Sequence, residues 1–143
     1  VGGRVAAGDP PDRFLMLAAG DLPETWLDPD RVTQIVSNLV ENGIRHGAGT
    51  VTIETVRAKT ASGAAAIELT VTDEGAGIDE ISRPRIFSRF WRQGQAGGTG
   101  LGLFIVKGIV EAHHGEIGVD EAPGGGARFR VLLPAGAPPY KTE

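Results

Sequence analysis

The chain has 143 residues, 41% of them hydrophobic and 22% charged, a composition typical of one globular domain with a proper core. The formal net charge of −4 argues against nucleic acid as the main partner, because domains that bind nucleic acid normally carry a basic excess. The lack of cysteine excludes disulfides and thiolate zinc sites, and no apolar run or signal peptide predicts contact with a membrane.

The two ends of the chain differ in composition from its middle. Residues 1–12 are rich in Gly, Ala and Pro and are predicted to be a linker, and because the first residue is Val1 rather than Met we favour an excised domain. A short strand fits residues 13–18. The domain itself would run over residues 13–134, and the polar, Pro-rich residues 135–143 are predicted to be a flexible tail.

Residues 30–47 are predicted to form the amphipathic helix around which the domain is organised. Asp28 is a plausible N-cap and Pro29 fits the first helical position. An apolar stripe recurs at three- and four-residue spacing: Val32, Ile35, Val36, Leu39 and Val40. Asn38 and Asn42 stack one turn apart on another face, which is either a solvated surface or a polar site.

Alternating strands and a second helix complete the predicted fold. Helix 101–113 would bury Leu101, Phe104, Ile105, Ile109 and Ala112 and stop at Gly115, with His113 and His114 capping its end. The strands predicted by alternation are residues 50–57, 66–72, 116–119 and 127–133. Together they indicate an α+β class, a two-layer sandwich in which a mixed, mostly antiparallel sheet carries helices on one face.

A carboxylate followed by two glycines ends the second of these strands, in residues 73–78 (DEGAGI). The Asp73 carboxylate can only accept hydrogen bonds, so an adenine amine would suit it. Gly75 and Gly77 would let the backbone turn sharply beside a flat ring. A plain turn explains the same letters.

A second glycine-rich run, residues 97–103 (GGTGLGL), opens the second helix. The unsatisfied amides of a helix start suit phosphate, Gly100 and Gly102 allow close approach, and Thr99 can cap. No strand leads into the run, so it is not a dinucleotide-binding turn. A flexible helix entry is the alternative.

Residues 84–92 (PRIFSRFWR) are predicted to form a short helical piece between the two glycine-rich runs. On a helix, Phe87, Phe90 and Trp91 would share one face, and Arg85, Arg89 and Arg92 another. The segment would be a mobile lid whose arginines meet an anion, or an ordinary solvated face over aromatic anchors.

In this order the pieces resemble the catalytic and ATP-binding domain of bacterial sensor histidine kinases, within the GHKL ATPase superfamily, over residues 28–134. NLVENGIRH is similar to the family's asparagine box, DEGAGI to its first glycine box, RIFSRFWR to its phenylalanine box and GGTGLGLFIVK to its second glycine box. The resemblance implies a Bergerat-type sandwich that binds ATP between sheet and helices under a mobile lid.

The same resemblance implies roles for individual residues. Asn42 would bind Mg²⁺ through its amide oxygen, Asp73 would accept from adenine, and Asn38 and Arg89 would serve the reacting phosphate. Arg45 and His46 match positions that contact phosphate and the nucleoside. The remaining implied nucleotide contacts are Gly75, Gly77, Ile78, Thr99, Gly100, Leu101, Gly102 and Leu103.

Departures from the family pattern qualify these roles. ATP-hydrolysing relatives carry a glutamate base where Asn38 stands, and an amide cannot take a proton from water, so the site favours phosphoryl transfer over hydrolysis. Gly43 replaces the usual alanine, which should weaken the helix by roughly 1 kcal/mol. Ala127 replaces a threonine, and the lid looks short.

The phospho-accepting histidine of the family lies on a separate dimerisation hairpin, which this chain lacks. The implied function is therefore to hold ATP and donate its γ-phosphoryl group to that hairpin, for relay to a response regulator. We expect a monomeric, cytoplasmic fragment of a homodimeric parent that can be membrane-bound. The alternatives are a degenerate nucleotide-regulated docking module and an anti-sigma-type serine kinase on the same fold.

Overall fold

The computed structural model describes residues 2–3, 14–18, 28–89, 91 and 101–135. These residues form six strands and two helices. In chain order they are β1 (Gly2–Gly3), β2 (Phe14–Ala18), α1 (Pro29–His46), β3 (Val51–Lys59), β4 (Ala65–Thr72), α2 (Gly102–Ala112), β5 (Glu116–Glu121) and β6 (Ala127–Pro134). None of the helices in these ranges is long and apolar enough to cross a membrane.

The strands form one mixed sheet in the order β1-β2-β3-β4-β6-β5. Only β2 and β3 run parallel, so α1 lies in the crossover connection between them, and the other neighbours are antiparallel. The register aligns Ile53 with Val71, Val71 with Phe129 and Phe129 with Val119. Both helices pack on the sheet over this row and share one core with it, which confirms the predicted α+β class.

Helix α1 follows its sequence prediction closely. Asp28 caps it, because Oδ1 accepts from the amides of Asp30 at 3.0 Å and Arg31 at 3.3 Å. Ile35 and Leu39 are fully buried and Val40 nearly so, while Val32 and Val36 are half-buried. Strand β6 follows the predicted alternation equally well, with Phe129, Val131 and Leu133 buried between half-buried neighbours.

Helix α2 buries a different stripe from the predicted one. Val106 and Val110 are fully buried, whereas Phe104 is 43% exposed and Ala112 is exposed. Four consecutive apolar residues, from Leu103 to Val106, do not indicate which face of the helix is buried. Packing against β5 and β6 determines the buried face. The predicted stripe was therefore wrong at Phe104 and Ala112 and only half-right at the partly buried Leu101, Ile105 and Ile109.

The end of α2 is held by its histidines. Gly115 donates its amide to the carbonyl of Val110 at 2.9 Å, and His114 rather than the glycine takes the left-handed conformation, with φ of 62°. The His113 ring lies 2.9 Å from the Ile109 carbonyl through Nδ1 and accepts from the Asp28 amide through Nε2 at 3.4 Å. His113 thus joins the end of α2 to the start of α1.

The predicted helical piece at residues 84–92 was wrong for its described part, which is a series of turns up to residue 89. The turns begin at Asp79, whose carboxylate accepts from the Ser82 amide and hydroxyl, and Pro84 removes one amide donor. Ile86 and Phe87 are buried, and Phe87 meets Phe129 edge-on with ring centroids 6.2 Å apart. The predicted neighbours Phe90 and Arg92 lie outside the described residues.

Other boundaries shift modestly. β3 extends to Lys59 and β5 to Glu121, beyond the predicted ends at 57 and 119. Gly2–Gly3, within the segment predicted to be a linker, forms a two-residue strand paired with β2. Residues 4–12 of that segment and residues 136–143 of the predicted tail lie outside the described residues.

Candidate functional site

Asp73, directly after β4, is the one polar or charged side chain that is buried among the residues described. Its Oδ1 accepts from the amides of Gly75 at 2.8 Å and Ala127 at 3.3 Å. Its own amide donates to the Ala127 carbonyl at 3.0 Å. A buried carboxylate is retained only where hydrogen bonds compensate for lost water, and here backbone donors from two segments supply them.

Two glycines form the walls around the Asp73 side chain. A Cβ on Gly47 would lie 2.6 Å from Asp73 Oδ2, and a Cβ on Gly126 would lie 2.7 Å from Oδ1. Real Cβ atoms do not approach so closely, so these positions admit only glycine while Asp73 stays in place. Neither residue could be assigned to the site from the sequence, because Gly47 looks like a helix end and Gly126 like part of a hairpin turn.

The loop after α1 and the loop after β4 lie against each other. Glu74 donates its amide to the Ala48 carbonyl at 2.9 Å, and its Oε1 accepts from the Thr50 amide at 2.9 Å. Gly49, with φ of 68°, lies against the Glu74 side chain. We call this assembly, Asp73 and Glu74 with residues 47–50 and Gly126, the Asp73 corner.

The two glycines of DEGAGI differ in their backbone conformation and in their neighbours. Gly77 has φ of 79°, and a Cβ there would lie 2.8 Å from the Gly125 carbonyl, so a left-handed turn and a close approach both require it. Gly75 instead allows close packing, since its Cβ would lie 3.0 Å from the Ala48 amide nitrogen. Ile78 packs partly against the core and accepts from Arg83 Nε at 3.0 Å.

The two asparagines of α1 lie half-buried on one helix face. Asn38 Nδ2 donates to the Gly102 carbonyl at 3.2 Å and so ties α1 to the first residue of α2. One turn later, Asn42 is followed by buried Gly43, whose Cβ would lie 3.2 Å from Val51 Cγ2 and 3.9 Å from Asp73 Cβ. The amide face thus runs from the start of α2 towards Asp73.

The structure also explains the glycine at position 43. An alanine there would press on Val51, so the close contact of α1 with β3 offsets the helix-propensity cost expected for Gly43. Ala127 contributes to the site through its backbone, which makes two hydrogen bonds with Asp73: its amide donates to Oδ1 and its carbonyl accepts from the Asp73 amide.

Arg45 and His46 follow on the last turn of α1. Arg45 pairs with Glu41 at 2.9 Å, a partly exposed i,i+4 ion pair. Burial, and secondarily the positive charge of Arg45, lowers the pKa of His46 below its usual value of 6.5. The imidazole is therefore neutral at pH 7 and able both to donate and to accept a hydrogen bond.

The second glycine-rich run is described only in part, because Thr99 and Gly100 lie outside the described residues. Leu101 precedes α2 without a side-chain cap, Gly102 begins the helix and Leu103 packs partly on the core. We call residues 101–103 with Asn38 the α2 entrance. Its helix amides are the kind of group that binds phosphate. Arg89 is exposed at the end of the turns.

Metal binding cannot rest on a cluster of acidic or imidazole ligands in the described ranges, where no group of three or more His, Cys, Asp or Glu side chains could hold an ion. A neutral amide oxygen such as that of Asn42 suits Mg²⁺ when phosphates and water complete the shell. The donor set of α1 therefore fits a metal that arrives with a phosphate ligand.

A cavity of about 640 Å³ lies elsewhere, between the turns at residues 84–88 and the outer face of α2. Phe87, Phe104, Ile105 and His113 line it, together with Arg31 from α1. Neither Asp73 nor Asn42 borders it. The buried carboxylate, the glycine walls and the amide face define the candidate site better than this volume does.

Comparison with known proteins agrees with this geometry. The model of the family described as histidine kinase-, DNA gyrase B- and HSP90-like ATPase matches residues 27–137. The chain belongs to this family. As a member of the histidine kinase-, DNA gyrase B- and HSP90-like ATPases, it is an ATP-binding domain, and the site residues described here lie within the matched range.

Two proteins to which the chain is similar are sensor histidine kinases. It is 55% identical over 75 residues to the sensor histidine kinase TmoS of Ectopseudomonas mendocina, covering 49% of this chain and 8% of TmoS. It is 41% identical over 125 residues to the sensor histidine kinase ZraS of Escherichia coli O157:H7, covering 84% of this chain and 26% of ZraS. The chain thus spans a minor part of these relatives.

Among solved structures, full-length ShkA in complex with AMPPNP superposes with a TM-score of 0.72 at 29% identity, covering 90% of this chain and 27% of ShkA. The resemblance to the catalytic domain of sensor histidine kinases, stated from four motifs, is confirmed. The docking-module and serine-kinase alternatives are not favoured. The departure at Gly43 has a packing explanation, because an added Cβ would lie close to Val51.

Proposed function

We propose that this domain binds Mg²⁺-ATP and donates the γ-phosphoryl group to a histidine on a dimerisation hairpin outside this chain, for relay to a response regulator. The observation that carries the proposal is the buried Asp73 carboxylate, held on one oxygen by backbone amides and walled by two glycines. A carboxylate can only accept hydrogen bonds, so it would suit the exocyclic amine of a flat base.

The Asp73 corner would bind the base. Both hydrogen bonds described for the carboxylate use Oδ1, so Oδ2 would accept from the exocyclic amine of adenine. Gly75, Gly77 and Ile78, in the loop that follows Asp73, would line the ring, because glycines let a backbone come close to a flat group. Neutral His46 would face the nucleoside.

The α2 entrance would bind the phosphates. The backbone amides of Gly102 and Leu103 at the start of α2, and those of Thr99, Gly100 and Leu101 before it, would meet the negative charge. Arg45 and Arg89 would be cationic contacts. Asn42 would be the protein ligand of Mg²⁺, which supplies electrostatic stabilisation of the transferring phosphoryl group when bound. Asn38 holds the α2 start in register with this amide face.

Transfer is favoured over hydrolysis at this site. The position of Asn38 carries an amide that already donates to Gly102, and an amide cannot act as a general base towards water. We therefore propose that residues 13–134 form the catalytic domain of a cytoplasmic kinase that uses an external histidine as acceptor. The fragment would be monomeric and its parent homodimeric through the absent hairpin.

Calorimetric titration with a non-hydrolysable ATP analogue, with and without Mg²⁺, tests the binding step. We expect the parent to bind and the Asp73→Asn variant to lose roughly tenfold or more in affinity, because an amide nitrogen cannot accept from adenine. Glu121→Gln, which removes an exposed carboxylate at the end of β5, is the matched control and should bind like the parent. Equal affinity of the Asp73→Asn variant and the parent would contradict the adenine contact.

A second experiment tests the transfer step. The chain joined to the hairpin of its own parent should form acid-labile phosphohistidine from labelled ATP, and the Asn42→Ala variant should form far less because Mg²⁺ loses its protein ligand. Acid-stable phosphate, or transfer that does not require Mg²⁺, would overturn the proposed reaction.

A further inference from the structure

Glu74 is an exposed acidic residue next to Asp73, and neither the motifs nor the proposed nucleotide contacts give it a role. Its side chain nevertheless has a defined partner, since Oε1 accepts from the Thr50 amide at 2.9 Å. Its backbone amide donates to the Ala48 carbonyl, also at 2.9 Å. Glu74 therefore holds the loop after α1 at two points, one on each side of Gly49.

The loop after α1 and the loop after β4 are closely packed. Gly49 has φ of 68°, and a Cβ there would lie 2.8 Å from the Glu74 Cβ. On the other side, a Cβ on Gly75 would lie 3.0 Å from both the Ala48 nitrogen and the Gly47 Cα. The two loops are in backbone contact, so a shift of one must move the other.

The position of this loop decides the surroundings of Asp73. Gly47, at the start of the loop, is the wall that faces Asp73 Oδ2, the oxygen that carries neither of the hydrogen bonds described for Oδ1. If residues 47–50 moved outward, water would reach Oδ2 and compete with any ligand amine. The loop therefore has to be held for the carboxylate to discriminate between bases.

We infer that Glu74 is a positioning residue for base recognition: through Thr50 and Ala48 it holds Gly47 against the carboxylate of Asp73. This inference rests on the proposed function, because it needs Asp73 to contact adenine. Glu74 itself touches neither the base nor the phosphates. The acceptor oxygen of Glu74 is what matters for the Thr50 amide, so an uncharged glutamine can replace it.

The test compares the affinities of non-hydrolysable ATP and GTP analogues for the parent and for three variants. Glu74→Ala should bind the ATP analogue roughly three- to tenfold more weakly, the loss expected for one hydrogen bond. Its affinity for the GTP analogue should change less than twofold, because guanine has no amine at that position, so the ATP-to-GTP preference shrinks. Glu74→Gln should keep the parent's ATP-to-GTP preference. Glu121→Ala should match the parent in its affinities for both analogues.

The outcomes separate the two claims. A Glu74→Ala variant that keeps the parent's ATP-to-GTP preference overturns the inference, whether both affinities are unchanged or both fall equally as in a merely destabilised domain. A Glu74→Gln variant that behaves like Glu74→Ala also overturns it. A parent that binds no ATP analogue sinks the proposed function, and the inference with it.

Discussion

The two ends of the candidate site are built in different ways. At the Asp73 corner, backbone meets backbone: the walls are glycines, the hydrogen bonds come from amides, and added Cβ atoms at Gly47 or Gly126 would overlap Asp73. At the α2 entrance, by contrast, a side-chain hydrogen bond from Asn38 to Gly102 joins α1 to the first residue of α2. The first end is preorganised by backbone contacts, and the second depends on a side chain.

This difference suits the proposed function, in which the domain holds a nucleotide and then presents its phosphate. A rigid base pocket lowers the ordering cost of binding, whereas a phosphate end that depends on a side-chain hydrogen bond is easier to rearrange when an acceptor approaches. The turns at residues 86–87 are held in a third way, by apolar packing of their buried side chains in the core. Substitutions at each place should therefore have effects of different size and kind.

The largest loss of stability is expected from Phe87→Ala. Phe87 is buried and packs edge-on against Phe129, so its removal leaves a cavity and should cost about 3 kcal/mol of unfolding free energy. Urea unfolding followed by tryptophan fluorescence measures the change. Ile81→Ala, at a side chain that is 75% exposed, should change stability by less than about 0.5 kcal/mol, and a comparable loss there would refute the anchoring role of Phe87.

The next largest effect is expected from Gly126→Ala. The added Cβ should overpack against Asp73, lower the free energy of unfolding by about 2 kcal/mol and abolish measurable binding of an ATP analogue. Thermal unfolding and calorimetry give both quantities. The control is Gly124→Ala, in the same turn, where a Cβ meets nothing within 4 Å. If the two variants bind nucleotide equally well, the Asp73 corner is not preorganised.

A smaller effect is expected from Asn38→Ala. It removes the hydrogen bond to the Gly102 carbonyl and should lower the free energy of unfolding by about 1 kcal/mol. Hydrogen exchange should rise at the first turn of α2 and stay unchanged at residues 47–50, because the two ends of the site are held separately. Ser37→Ala, at an exposed position of the same helix, should leave both regions as they are. Faster exchange at both ends in the Asn38 variant would show that they move as one unit.

The smallest effect concerns His46 and pH. Burial lowers its pKa in the folded state below 6.5, so the unfolded chain binds more protons in that range, and stability should fall as the pH drops from 7 through 6.5. The His46→Gln variant should show a flatter dependence over the same interval. Urea midpoints between pH 5 and 8 measure both slopes, and identical slopes would mean that His46 does not contribute.

The elements that could be predicted from the sequence are those whose pattern has one interpretation. Helix α1 combines a clear stripe with an Asp28 cap and Pro29, and β6 alternates without a break. In α2 the run from Leu103 to Val106 is apolar on every face, so its buried side was set by contacts that no local pattern contains. Local spacing also favoured a helix at residues 84–89, where the Asp79 cap and buried Ile86 impose turns.

The site divides in the same way. Asp73, Asn38 and Asn42 could be proposed from the sequence, because they fall in ordered motifs. Gly47, Gly126 and Glu74 could not, because their importance comes from contacts with segments distant in the chain. A glycine that ends a helix and a glycine required beside a carboxylate look identical until the second segment is in place.

The crossover between β2 and β3 has a consequence for biosynthesis. The backbone of Phe14 aligns with Val51, and Ala18 aligns with Thr55, in the parallel pair of the sheet. The helix between them, α1, carries Asn38 and Asn42. It can pack in its final position only after β3 has been synthesised and has paired with β2. The base site is completed later still, because Gly126 and Ala127 follow α1, β3 and β4 in the chain, so a nascent chain that stops before them lacks part of the Asp73 corner.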